Sequence, residues 1–170
     1  RGVAALHGEF FLAQLETRKP GANLAREQVP EIAKAFDAFV KLKAIQTRWD
    51  ERFFYVESNG IPDHQMMVGI TAWQQQVPLP QKYVGQNAWQ IPLHPVAAEN
   101  PATTKNRFLR GAIAVAVNGI PIFNPLNNRG DDAYLFGELD EFGGHCGRAD
   151  DYHYHIAPMH LEVTNGKGKP

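Results

Sequence analysis

The chain has 170 residues, a net charge of −1 and 44% hydrophobic residues, the composition of a single folded unit with a real core. A near-neutral charge without a basic run argues against nucleic acid or an anionic membrane as partner, and no apolar run is long enough to cross a bilayer. The lone cysteine, Cys146, cannot form a disulfide within the chain, so cysteine usage does not decide the compartment.

The chain opens at Arg1 rather than Met, as expected of a processed form from which a signal peptide has been removed. Residues 3–15 place apolar side chains three and four apart and end at Lys19-Pro20-Gly21, which predicts a short helix. Pro30 suits a first helical turn, and Ile32, Phe36, Phe39 and Val40 then fall on one stripe, which predicts an amphipathic helix over 30–42 packed on the main body. Aromatic and β-branched residues at 52–57 predict a strand running into the Ser58-Asn59-Gly60-Ile61-Pro62 turn. Further strands are expected at 67–73 and 89–93, whereas the prolines of 77–84 argue against a central strand there. Residues 111–123, GAIAVAVNGIPIF, predict one strand that is apolar on both faces. It ends in a second Asn-Gly-Ile-Pro, at Asn118 to Pro121, and the two copies would mark equivalent sheet corners or simply repeat ordinary turn chemistry. The expected fold is mainly β, a sandwich-like antiparallel or mixed arrangement with an N-terminal helical segment, hence α+β. It divides into a helical extension over 1–45 and a β-rich domain over 46–170.

After Phe123 the chain is rich in Asn, Asp and Gly. Asn124, Asn127, Asn128, Asp131 and Asp132 offer oxygen ligands for calcium, although not at EF-hand spacing, and the competing reading is turn chemistry. The stretch 142–160, FGGHCGRADDYHYHIAPMH, holds four of the seven histidines and the single cysteine. On a strand, His153 and His155 project to one face, with Tyr152 and Tyr154 on the other. Two imidazoles so placed can converge on one ion, and His145, in a Gly-Gly-His-Cys-Gly turn, is the nearest third ligand. Three neutral imidazoles suit zinc or copper better than magnesium. Glu138, Asp140 or Asp151 would then serve as base or hold an imidazole by its second nitrogen. Cys146 is read as a small buried hydrophobe in preference to a copper ligand, because it is adjacent to His145 and adjacent side chains diverge.

Four blocks give the chain a family resemblance: SNGIPDH at Ser58 to His64, GAIAVAVNGIPIFNP at Gly111 to Pro125, GELDEFGGH at Gly137 to His145 and YHYHIAP at Tyr152 to Pro158. From about Phe53 onward the chain resembles the YHYH domain family. The resemblance implies a β-rich domain in a secreted or periplasmic protein and points by position to His64, His145, His153 and His155. It also implies a further Asp-Gly-Tyr-Pro turn beyond Pro170, so the domain is expected to be truncated at its C-terminus.

Three functions stand side by side at this level. The first is an exported metal-binding domain with zinc or copper on His145, His153 and His155, with His64 as an added candidate. The second is a metal-dependent enzyme, hydrolytic with zinc or oxidative with copper, that uses a carboxylate of the 137–141 segment. The third is a carbohydrate-binding or adhesion module without metal, in which Trp73, Trp89 and the tyrosines form the stacking surface.

Overall fold

The computed structural model describes residues 3–5, 29–72, 76–105, 107–147 and 150–164, with backbone alone at 3–5 and 163–164. It is mainly β, with two sheets and one short N-terminal helix of nine residues, α1 (Ala33–Lys41). The smaller sheet orders β2 (Gln46–Trp49), β3 (Phe53–Glu57) and β4 (Trp89–Pro92), all antiparallel. The larger sheet has five strands. Its order is β1 (Val3–Ala5), β5 (Ala112–Ala116), β6 (Pro121–Phe123), β8 (Tyr152–Tyr154) and β7 (Gly144–Cys146). The β6–β8 pairing is parallel and the others are antiparallel. A short helix, α2 (Leu161–Thr164), follows the last strand.

One hydrophobic cluster joins these layers. Phe36 and Phe39 of α1 pack with Phe54 and Val56 of β3, Val115 of β5, Ile122 of β6 and Tyr152 and Tyr154 of β8. The Phe36 and Phe54 rings lie 5.3 Å apart, within the range where tilted aromatic pairs attract. Alternation explains why β3 serves this core: Phe54 and Val56 are fully buried while Phe53, Tyr55 and Glu57 are only partly covered. The predicted amphipathic helix is present, but Val40 lies at the exposed margin of its apolar stripe. No helix among the described residues is long and apolar enough to cross a membrane.

Three local expectations are corrected, and one strand was not predicted. Residues 3–5, expected to open a helix, form β1, because their backbone groups pair with β5 at Val3↔Ala116; the remainder of the predicted helix, 6–15, lies outside the described residues. The expected strand at 67–73 is a looped segment as far as it is described, to Ala72. Met67 and Gly69 have φ of 65° and 86°, which no strand accommodates. Its N–H groups bond elsewhere, Met67 to Asp140 Oδ2 and both Thr71 and Ala72 to the Gly137 carbonyl. Residues 111–123 are a hairpin of β5 and β6 instead of one strand, turned at Asn118-Gly119. Finally, β2 gave no strand signal.

The two Asn-Gly-Ile-Pro copies are not equivalent corners of one sheet. One closes β3, while the other turns β5 into β6, and they meet in space, where Ser58 Oγ donates to the Gly119 carbonyl at 2.8 Å. Gly119 has φ +81° and lies so close to Ser58 and Ile45 that a Cβ would stand 2.6 and 2.8 Å from their carbons. Glycine is required there both for the left-handed turn and for the approach of the two sheets.

Candidate metal centre

The β7–β8 pairing builds the site. Its register sets His145 directly opposite His153, and directly opposed residues project to the same face. His155, two residues past His153, extends that face. His153 Nε2 lies 3.2 Å from His155 Nε2, which lies 3.0 Å from His145 Nε2. Ligand atoms of the three residues all fall within 4.8 Å of one another, and all three side chains are buried.

The second nitrogens are held from behind. His153 Nδ1 donates to the Asp151 carbonyl at 3.0 Å, and His155 Nδ1 donates to the Asn124 carbonyl. A carbonyl can only accept, so in the neutral rings the proton sits on Nδ1 and Nε2 presents a lone pair. His145 Nδ1 is buried without a hydrogen bond of good geometry, although the Glu138 backbone lies near enough to favour its protonation. The Phe123 ring stacks on His153 with centroids 4.0 Å apart and fixes that imidazole in place.

Burial disfavours charge on all three rings. His153 is held well below the usual histidine range by burial first and then by His155 and His145. His155 is lowered to about 4, mainly by burial. Burial also lowers His145, against the opposing charges of Glu138 and Asp140. Since the unfolded chain takes up these protons near pH 6.5 and the metal-free fold resists them, stability is full above pH 6.5. It declines as pH falls toward 4. For His155 alone the loss by pH 4 is roughly 3 kcal/mol. Urea unfolding of metal-free protein at pH 7.5 and pH 5 checks the sign: the midpoint is expected to be lower at pH 5.

The remaining predicted residues fall elsewhere. His64 is on the tyrosine side of β8, where its Nε2 meets the Tyr154 hydroxyl at 2.9 Å and its ring stacks on Phe142 at 4.0 Å. His160 packs edge-on against His64, at 5.1 Å between ring centroids, in this second aromatic group. Cys146 is also separate from the three imidazoles. It is fully buried in the core, and burial pushes its thiol up to about 12.

Of the three carboxylates, Asp140 is occupied. Its oxygens accept from the N–H groups of Met67, Phe142 and Gly144 and from the Tyr152 hydroxyl, which ties the 140–144 turn to β8. Asp151 supports His153 mainly through its backbone, with a carboxylate oxygen 3.7 Å from Nδ1 and a carboxyl raised by burial. Glu138 is buried beside the histidine group and accepts from Arg129 and Asn127.

Four of the five residues considered for calcium have oxygens engaged in turns or in an ion pair. Asn124 Oδ1 accepts from Leu126 N, Asn127 Oδ1 from Arg129 and Asp131 N, and Asp132 Oδ1 from Tyr134 and Leu135 N, while Asp131 pairs with Arg129. Trp89, proposed as a stacking surface, leans its ring on Tyr83 and is half-buried, and Trp73 lies outside the described residues. The sequence reading missed the Asn124 carbonyl, the Phe123 ring and Arg129. No side-chain signal marks a carbonyl as a histidine partner, and Phe123 read only as the end of a strand.

The fold and site together define a mainly β protein with a buried three-histidine group on one strand pair. Residues 88–169 match the family model described as YHYH protein, so this stretch is a YHYH domain. It contains the larger sheet from β5 onward and every histidine of the group, whereas the SNGIPDH block and His64 precede it. No curated protein and no solved structure was found to match the chain.

Proposed function

We propose that this protein binds a transition metal, zinc or copper, through Nε2 of His145, His153 and His155. The observation that carries the reading is the convergence of these nitrogens at 3.0 and 3.2 Å while two of the rings spend their Nδ1 protons on backbone carbonyls. With both Nδ1 atoms protonated, the Nε2 lone pairs of His153 and His155 face each other at 3.2 Å and repel unless a proton or a cation lies between them. Two nitrogens bound to one tetrahedral zinc at about 2.05 Å stand about 3.3 Å apart, close to the spacing of the His153–His155 and His155–His145 pairs. The carbonyl partners behind His153 and His155 are those expected of metal-binding imidazoles. Their resistance to protonation keeps them ready as ligands at neutral pH. Handling or holding of metal by an exported protein is the role that this site and the family resemblance suggest together.

Elemental analysis of protein purified without added metal tests the proposal, with a His153→Ala/His155→Ala double variant as control. About one equivalent of zinc or copper, absent from the variant, is expected. No transition metal in either protein after incubation with both ions would sink it.

A further inference from the structure

The ligand set of this site is electrically neutral. The mutually close ligand atoms belong to His145, His153 and His155, and no carboxylate or thiolate of the described residues joins them. An imidazole binds metal in its uncharged form. The carboxylates of this part of the chain are held elsewhere. Glu138 accepts from Asn127 and Arg129, and Asp140 accepts from three backbone N–H groups and the Tyr152 hydroxyl. Asp151 stands behind His153, with Oδ2 3.7 Å from Nδ1, whereas Nε2 is the nitrogen that meets His155. Cys146 follows His145 on β7, so its thiol falls on the other face of the strand pair, in the hydrophobic core. The walls are apolar as well. All three histidines are buried, and the Phe123 ring stacks on His153 at 4.0 Å and stands edge-on to His155 at 6.2 Å.

We propose, on the basis of the metal reading above, that this site takes copper(I) in preference to zinc(II) or copper(II). The cost of moving an ion out of water rises with the square of its charge, so a dication costs about four times as much as a monocation of the same radius. A thiolate or carboxylate ligand offsets that cost, and here the set supplies neither. The complex therefore keeps the full charge of its ion, and burial favours the ion of lower charge. Coordination number points the same way. Zinc and copper(II) take at least four ligands, whereas copper(I), a soft closed-shell ion, is satisfied by three nitrogens. His145, His153 and His155 provide that number.

Competition measures the preference directly. Metal-free protein is titrated under nitrogen with copper(I) against bicinchoninate and with zinc against nitrilotriacetate, and the reduction potential of the copper-loaded protein is recorded. Copper(I) is expected to bind at least about a hundredfold more tightly than zinc. The copper(II)/copper(I) couple is expected above that of the aqueous ion, because tighter binding of the reduced form raises it. His145→Glu replaces a neutral ligand with an anionic one of similar reach, and is expected to shrink the copper(I)-to-zinc ratio at least about tenfold. Zinc bound as tightly as copper(I), or a couple below that of aqueous copper, would overturn the inference, and both are read on the parent protein even if the variant does not fold. So would an unchanged ratio in a folded, metal-binding His145→Glu. A parent protein that takes up none of the three ions would overturn the metal reading itself, a failure that the first titrations report separately.

Discussion

Zinc at a hundredfold excess over its dissociation constant is expected to stabilise the protein by about 2.7 kcal/mol, a rise in melting midpoint of roughly 5–10 °C for a domain of this size. His155→Ala is expected to abolish that rise. His155 is the decisive position because its Nε2 is the one that approaches both of the others, at 3.2 Å from His153 and 3.0 Å from His145. Truncation also leaves the Asn124 carbonyl without its donor, so the metal-free variant will melt lower than the parent. The diagnostic quantity is therefore the difference between metal-loaded and metal-free melts within each protein, measured by scanning calorimetry. A variant that retains the full zinc-dependent rise would mean that zinc binds away from these three rings.

Gly144→Ala is expected to destabilise the fold by about 3 kcal/mol, at the upper end for overpacking, and to weaken metal binding with it. A Cβ at Gly144 would lie 2.4 Å from the Tyr152 hydroxyl oxygen and 2.8 Å from the His153 carbonyl oxygen. Neither neighbour can give way easily. Tyr152 is fully buried and its hydroxyl donates to Asp140 at 2.7 Å, while the carbonyl belongs to the strand that carries the site. Relief requires β7 to move away from β8, and that pairing is what sets His145 opposite His153. Urea unfolding gives the stability change, and zinc titration gives the second effect. A variant as stable as the parent would show that the strand pair is looser than this packing implies.

The legible parts of this protein are those in which local chemistry and periodicity decide the outcome. Phe36 and Phe39 fall on one helical stripe and are buried together. The alternation of β3 buries Phe54 and Val56, and the period of two in Tyr152-His153-Tyr154-His155 separates histidines from tyrosines on β8. The failures have a common cause. Residues 67–72 carry strand-forming side chains, yet their backbone donors are claimed by Asp140 and by the Gly137 carbonyl, far along the chain. Residues 111–123 look continuous because both arms of a hairpin are apolar when both are buried.

By itself, then, the sequence determined a mainly β chain, a helix with one buried face and a pair of histidines on a shared strand face, since these follow from spacing along a single element. It also offered His145 and His64 as further candidates, and tertiary structure decided between them. The β7–β8 register brought in His145, and the passage of β8 between two aromatic groups left His64 with Tyr154 and Phe142. The fold also aimed the Asn124 carbonyl at His155 and paired Glu138 with Asn127 and Arg129. Strand pairing between distant residues and hydrogen bonds to backbone carbonyls write nothing into local residue order, so they become visible only when the chain has folded.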